Sequence, residues 1–206
     1  MSDPALPGAD QRSQVVDPAV SREKFALELS EFRRNGELHR RRGWLLLEAE
    51  FPTVLVAMCA PQVRPAAVVC GILLDFTNYD LVPPSVRLVD PFTREPYRAR
   101  ELPMALLRRR VTQYQIPDGP VIENAEVVSL MQAHDPEGLP FLCIPGVREY
   151  HEHPAHTGDL WLTHRGQGEG TLFSILNTVY QYGVQPIADY GVGLRVVGFR
   201  TGDPPT

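Results

Sequence analysis

Between positions 141 and 159 the chain reads FLCIPGVREYHEHPAHTGD, placing one cysteine, three histidines, three acids and an arginine within nineteen residues. A thiol is a nucleophile only as its thiolate, so it needs a lowered pKa or a neighbouring base. Cys143 ends an apolar segment and is followed by Ile-Pro-Gly, a chain break that sets the thiol at a strand's end. His153 or His151 is the expected general base, and His134 with Asp135 lies upstream, a candidate pair on position alone. Cys59 and Cys70 sit inside apolar runs, where cysteine packs as a small hydrophobe.

The same stretch admits two further readings. His151, His153 and His156 form H-x-H-x-x-H with Asp159 three residues on. Three imidazoles and a carboxylate are a zinc ligand set that Cys143 could join, although the spacing matches no zinc signature and Pro154 redirects the chain. Alternatively, histidines, Thr157 and Asp159 stitch a polar loop, with Asp159 orienting an imidazole. Arg148 and Arg165 are read as meeting an acidic partner or as solvated, and Trp161 as a core or lid aromatic. RGQGEG (165–170) lacks the lysine and preceding buried strand of a phosphate loop, so its glycines are read as allowing close approach into a helix.

These residues must be held by one domain. The 206 residues suffice for a single sizeable core and would be cramped as two. Their net charge of −5 gives no pull toward nucleic acid or an anionic membrane. No secretory signal opens the chain and no apolar run reaches membrane-spanning length. With three cysteines, an odd count, the expectation is a cytoplasmic protein with free thiols. Twenty prolines, nearly double the usual share of about 5%, point to turns and extended segments. Lys24 is the only lysine beside many arginines, a skew that fits a bacterial genome.

Residues 1–20 are polar and proline-dotted and read as disordered, 21–200 as the domain, and 201–206 as a loose tail. Phe25, Leu29 and Phe32 predict a helix over 21–35 that Gly36 frays or stops. Apolar runs at 44–51, 53–59, 66–76 and 85–89, separated by short turns, predict a four-stranded antiparallel meander. ELPMALLRRR reads as a short helix entered through Pro103, IPDGP as a turn, and VIENAEVVSLM as an added strand. Leu172, Phe173, Leu176, Val179 and Tyr180 predict a helix over 171–182 with Gly183 as its C-cap, and VGLRVVGF (192–199) a final strand. Strands in series beside segregated helices give the α+β class.

ILLDFTNYDLVPPSVRLVDP resembles the sheet and proline crossing of the ubiquitin-conjugating (UBC) fold, with Tyr79, Pro83, Pro84 and Val86 at the family's spacing. DPEGLPFLC resembles the glycine-containing turn and short run ending in the catalytic cysteine, with Gly138 and Cys143 in those places. The chain departs from eukaryotic members at His134-Asp135-Pro136, where they carry His-Pro-Asn, and the stretch between SVRLV and this point is longer than theirs. A rival alignment lays His153-Pro154 on the family's His-Pro and puts Trp161 at the cysteine's place, which makes the chain an inactive binding module. The resemblance implies a divergent bacterial conjugating enzyme. Its Cys143 takes a ubiquitin-like protein as a thioester from an adenylating activating enzyme, with no cofactor of its own.

Overall fold

The structure is a computed structural model and describes residues 14–117 and 119–191. Asp17 starts the first helix, α1 (Pro18–Arg34): its carboxylate accepts from the Ala19 amide at 2.8 Å, and Pro18 supplies the preset φ of a first helical position. The helix thus begins three residues before the expected start. Gly36 does not end the helical region but opens a second, short helix, α2 (Gly36–Arg41). Phe25, Leu29 and Phe32 are buried, as their spacing predicts.

Four strands follow: β1 (Trp44–Glu50), β2 (Thr53–Ala60), β3 (Ala67–Asp75) and β4 (Ser85–Val89). They pair antiparallel in the order β1-β2-β3-β4, the meander that their turns imply. Val56, Met58, Ile72, Leu74, Val86 and Leu88 join the side chains of α1 in the core. The fold is α+β, with its first helix packed on the sheet and a later helix closing the same core. The expected strand at 192–199 lies outside the described residues, as do 1–13.

The crossing from β3 to β4 anchors the amino-terminal segment. Asn78 Oδ1 accepts from the amides of Val15 and Val16 at 2.6 and 3.0 Å, and Ser21 Oγ donates to the Tyr79 carbonyl at 3.0 Å. Tyr79 is buried and donates its hydroxyl to Glu28 of α1 at 3.1 Å. Pro83 and Pro84 are buried where the chain turns into β4.

Residues 107–115 depart from the sequence reading, whereas the turn after them and the added strand beyond it form as expected. In place of a short helix, Leu107–Gln115 forms β5 and pairs with β6 (Val121–Ser129) in an isolated two-stranded hairpin around the IPDGP turn. Helical turn is confined to Ala99–Glu101. Leu107, Val111 and Tyr114 do fall at helical spacing, but all three are exposed, and Val111, Thr112 and Tyr114 favour extended backbone. The side chains of β5 are nearly all exposed.

After the hairpin, β7 (Met131–Gln132) pairs with β8 (Phe141–Leu142). Three short helical pieces then occur: α3 (Arg148–Glu152), a 3-10 turn (Pro154–His156) and α4 (Trp161–His164). Helix α5 (Leu172–Val179) buries Leu172, Ile175, Leu176 and Val179, so Ile175 takes the place expected of Phe173, which is exposed. The helix runs on as a π-turn, Tyr180–Val184. Gly183 is therefore not a C-cap: a Cβ there would lie 3.1 Å from the Leu106 side chain.

Candidate active site

Cys143 is placed by the strand pair that precedes it. Its amide donates to the Leu130 carbonyl at 2.7 Å, extending the β7–β8 pairing by one residue and leaving the thiol half-buried at the strand's end. The turn beyond it is locked to the proline crossing by Arg148, which is 4% exposed. The Arg148 amide donates to the Pro84 carbonyl at 3.0 Å, and its guanidinium donates to the carbonyls of Pro83 (3.2 Å), Thr77 (2.7 Å) and Asp75 (3.3 Å). Arg148 is thus neither solvated nor free for a partner. Glu149 beside it accepts from Ser85 Oγ and the Val86 amide and pairs with Arg87 at 2.9 Å, so α3 is fastened along β4.

The next turn brings a base to the thiol. His153 accepts from the Ala155 amide through Nδ1 at 3.2 Å, capping the 3-10 turn that carries His156. His156 Nε2 lies 3.3 Å from Cys143 Sγ. The histidine beside the Cys143 thiol is therefore His156, which the sequence suggested only as a metal ligand or as part of a hydrogen-bonded loop. The expected bases take other places. His153 stacks on Phe141 and His134 at centroid distances of 5.1 and 5.3 Å. His151 faces two carbonyls, with Nδ1 2.8 Å from Asp159 O and Nε2 against Pro145 O. Asp135 is exposed and shapes the turn before Gly138, its carboxylate accepting from the Glu137 amide at 2.8 Å.

Burial pushes the Cys143 thiol above its ordinary pKa, with the positive charge of Arg108 opposing. Burial, helped by the neighbouring His153, holds His156 below the ordinary histidine value, although Asp159 pulls the other way. Both shifts favour the uncharged pair, thiol beside neutral imidazole, in which the imidazole can accept the thiol's proton. Cys70, inside β3, is pushed up to about 12 by burial and is inert at neutral pH. Cys59 is also raised by burial.

Behind His156 stands a layer of which the sequence suggested only Asp159, as the carboxylate that orients an imidazole, and Trp161. Tyr150 stacks on the His156 ring, with centroids 3.8 Å apart and planes 22° apart. Its hydroxyl donates to Asp159 Oδ2 at 2.6 Å. Asp159 Oδ1 meets His164 Nε2 at 2.6 Å, and the other nitrogen of His164 meets Glu169. His164 stands five residues beyond Asp159 and Glu169 five beyond His164, in no motif that would draw attention. Trp161, 7% exposed, donates its indole N–H to the Asp80 carbonyl at 3.2 Å, and Arg165 pairs with the Asp80 carboxylate at 2.7 Å. Gly170, at φ +71°, lies under that indole, and a Cβ there would fall 2.6 Å from it. A Cβ on Gly146 would meet the Gly170 amide at 2.3 Å, so the cysteine turn and the entry to α5 cross at two glycines.

The residues of the zinc reading are thus divided among different partners: His151 with carbonyls, His153 with the Ala155 amide, His156 with the thiol, and Asp159 with Tyr150 and His164. Among the described residues no group of three or more His, Cys, Asp or Glu is arranged to hold a metal ion. Nor is any described helix long and apolar enough to cross a membrane.

Fold and site together define an α+β domain that carries a thiol–imidazole pair on the turn after its sheet. The model of the Y4jH-like (Y4jH) family matches residues 16–187. The chain is also 44% identical over 191 residues to an uncharacterized protein, y4jH, of Sinorhizobium fredii (strain NBRC 101917 / NGR234), covering 89% of this chain and 91% of that one. The chain belongs to the Y4jH family.

Proposed function

We propose that the protein is a thiol acyl-transferase of the ubiquitin-conjugating kind. Cys143 receives the C-terminal acyl group of a ubiquitin-like protein from an adenylating activating enzyme and passes it to an acceptor. In the first transfer Cys143 Sγ attacks the donor thioester carbonyl, and its proton passes to His156 Nε2. The new C–S bond forms, the donor C–S bond breaks, and the proton leaves with the departing thiolate. Acceptor attack repeats these roles, with His156 taking the acceptor's proton.

The observation that carries this reading is the 3.3 Å contact between Cys143 Sγ and His156 Nε2. It occurs where the resemblance expects a nucleophile, after a helix, a four-stranded meander, a buried Pro83-Pro84 crossing and the Gly138 turn. The test mixes the purified chain with the ubiquitin-like protein and adenylating enzyme of its own genome, with magnesium and ATP, and examines it on non-reducing gels. The expected product is an adduct cleaved by thiols, absent in Cys143→Ala and thiol-resistant in Cys143→Ser. An adduct that survives Cys143→Ala would remove this cysteine from the role. Binding of the ubiquitin-like protein without any adduct would replace transfer by a binding function.

A further inference from the structure

A histidine that works as a base is ordinarily oriented through its second nitrogen, by a carboxylate or carbonyl at hydrogen-bond distance. His156 departs from that arrangement. Among the described residues no hydrogen bond is made to its Nδ1, and the near carboxylate, Asp159, is engaged by Tyr150 and His164 instead. What touches the imidazole across its whole face is the Tyr150 ring, at 3.8 Å and 22°.

We infer that Tyr150 is the positioning residue of His156, setting the imidazole through its face, and that Asp159 and His164 hold Tyr150 in place. This rests on the reading of Cys143 and His156 as nucleophile and base. The Tyr150 ring is fixed at both ends. It belongs to α3, which Arg148 and Glu149 fasten to the sheet, and its far end is tied by the 2.6 Å bond to Asp159. His151 crosses its edge at 5.0 Å and 86°, which blocks rotation on that side. Asp159 in turn is held by the imidazole of His164, whose other nitrogen is anchored on Glu169. A chain of oriented groups therefore runs from Glu169 through His164, Asp159 and Tyr150 to the base. Its last link is a stack rather than a hydrogen bond, so the carboxylate acts one ring away from the histidine that it serves.

The stack leaves Nδ1 out of the arrangement and fixes the plane in which Nε2 reaches sulfur. Loss of the ring frees His156 to rotate away from Cys143, whereas loss of the hydroxyl alone only loosens it.

The test is the rate at which Cys143 reacts with iodoacetamide, followed peptide by peptide by mass spectrometry to separate it from Cys59, across the neutral and alkaline range. His156→Gln is expected to slow the reaction at neutral pH by about tenfold or more. Tyr150→Leu should approach that value, and Tyr150→Phe, which keeps the ring, should fall between it and the wild type. In the His156→Gln background Tyr150→Leu should have no further effect, because the two residues act as one unit. A slowing of the double variant by the product of the single factors would make Tyr150 a merely structural residue and overturn the inference. Wild-type rates in Tyr150→Leu would do the same. If His156→Gln itself reacts at the wild-type rate, the base assignment fails and the inference falls with it.

Discussion

Arg148 and Pro83 join the two halves of the site: the guanidinium of one donates to the carbonyl of the other at 3.2 Å, with the arginine buried. The proline crossing lies between sheet strands and the cysteine turn lies after the hairpin, 65 residues apart in sequence. No side chain other than arginine offers a planar fork of donors to three backbone carbonyls at once. The prolines thus do more than redirect the chain, since their carbonyls are part of the surface against which the Cys143 turn is built.

Replacement of Arg148 by Met should therefore destabilise the fold by about 3 kcal/mol, because the buried carbonyls of Pro83, Thr77 and Asp75 lose their donor. Lys at this position should recover only part of that loss. Denaturant unfolding measures the effect, and a change within about 0.5 kcal/mol would mean that these carbonyls find other partners.

Much of this architecture was legible because burial writes itself into spacing. Phe25, Leu29 and Phe32 announce a helix face, and four apolar runs between turns announce the meander. Of the hairpin, the IPDGP turn and the strand after it were legible, but β5 was not: it buries nothing, so Arg108, Arg109 and Arg110 carry no alternation, and its pairing appears only in three dimensions. At the site, Cys143 was singled out by the chain break after it. The choice of His156 over His151 and His153 depends on how the chain turns at Pro154, which no periodicity encodes. Tyr150 was missed because a stacked ring has no motif.

The hairpin also yields a prediction. Leu107 and Ser129 are direct partners, so residues 108–128 can be replaced by Asn-Gly, the two-residue turn that joins such a pair. Because Val111, Tyr114, Val121, Ile122 and Val127 are exposed, stability should change by only about 0.5 kcal/mol. The thiol should respond: with Arg108 removed, burial is unopposed and the ionisation of Cys143 should move to higher pH. Thermal melting and the pH profile of Cys143 alkylation check the two halves separately. A profile shifted to lower pH would contradict the sign.

His39 offers a stabilising change. It is stacked between Phe32 and Trp44 at centroid distances of 4.4 and 4.9 Å, 1% exposed, and neither ring nitrogen has a partner among the described residues. His39→Phe keeps a flat ring in the stack and removes two buried polar atoms. It should stabilise the protein by about 1 kcal/mol, read from the urea midpoint. Destabilisation would show that the larger ring does not fit between its neighbours.

The last prediction follows from Asp159 and His164. The hydrogen bond from Tyr150 and that from His164 hold the Asp159 carboxyl below its ordinary pKa. The bond to Asp159, aided by Glu169, holds His164 above its own. A group with a raised folded-state pKa contributes stability that is complete below its unfolded value and is lost as pH rises through the folded one. A group with a depressed pKa contributes stability that is present above its unfolded value and is lost as pH falls through the folded one. The pair should therefore stabilise fully between the ordinary values of about 3.9 for Asp and about 6.5 for His, with the gain fading beyond both ends. Tyr150, His151 and Glu169 face the same groups, so the comparison must remove only one of them. Urea unfolding of the wild type and His164→Gln at a series of pH values should give a difference that is greatest inside this window. That difference should shrink as pH rises through the raised pKa of His164. A difference that is constant with pH would show that the ring contributes by packing and not by charge. In that case Asp159, and the Tyr150 ring that it holds behind His156, would be set by shape alone.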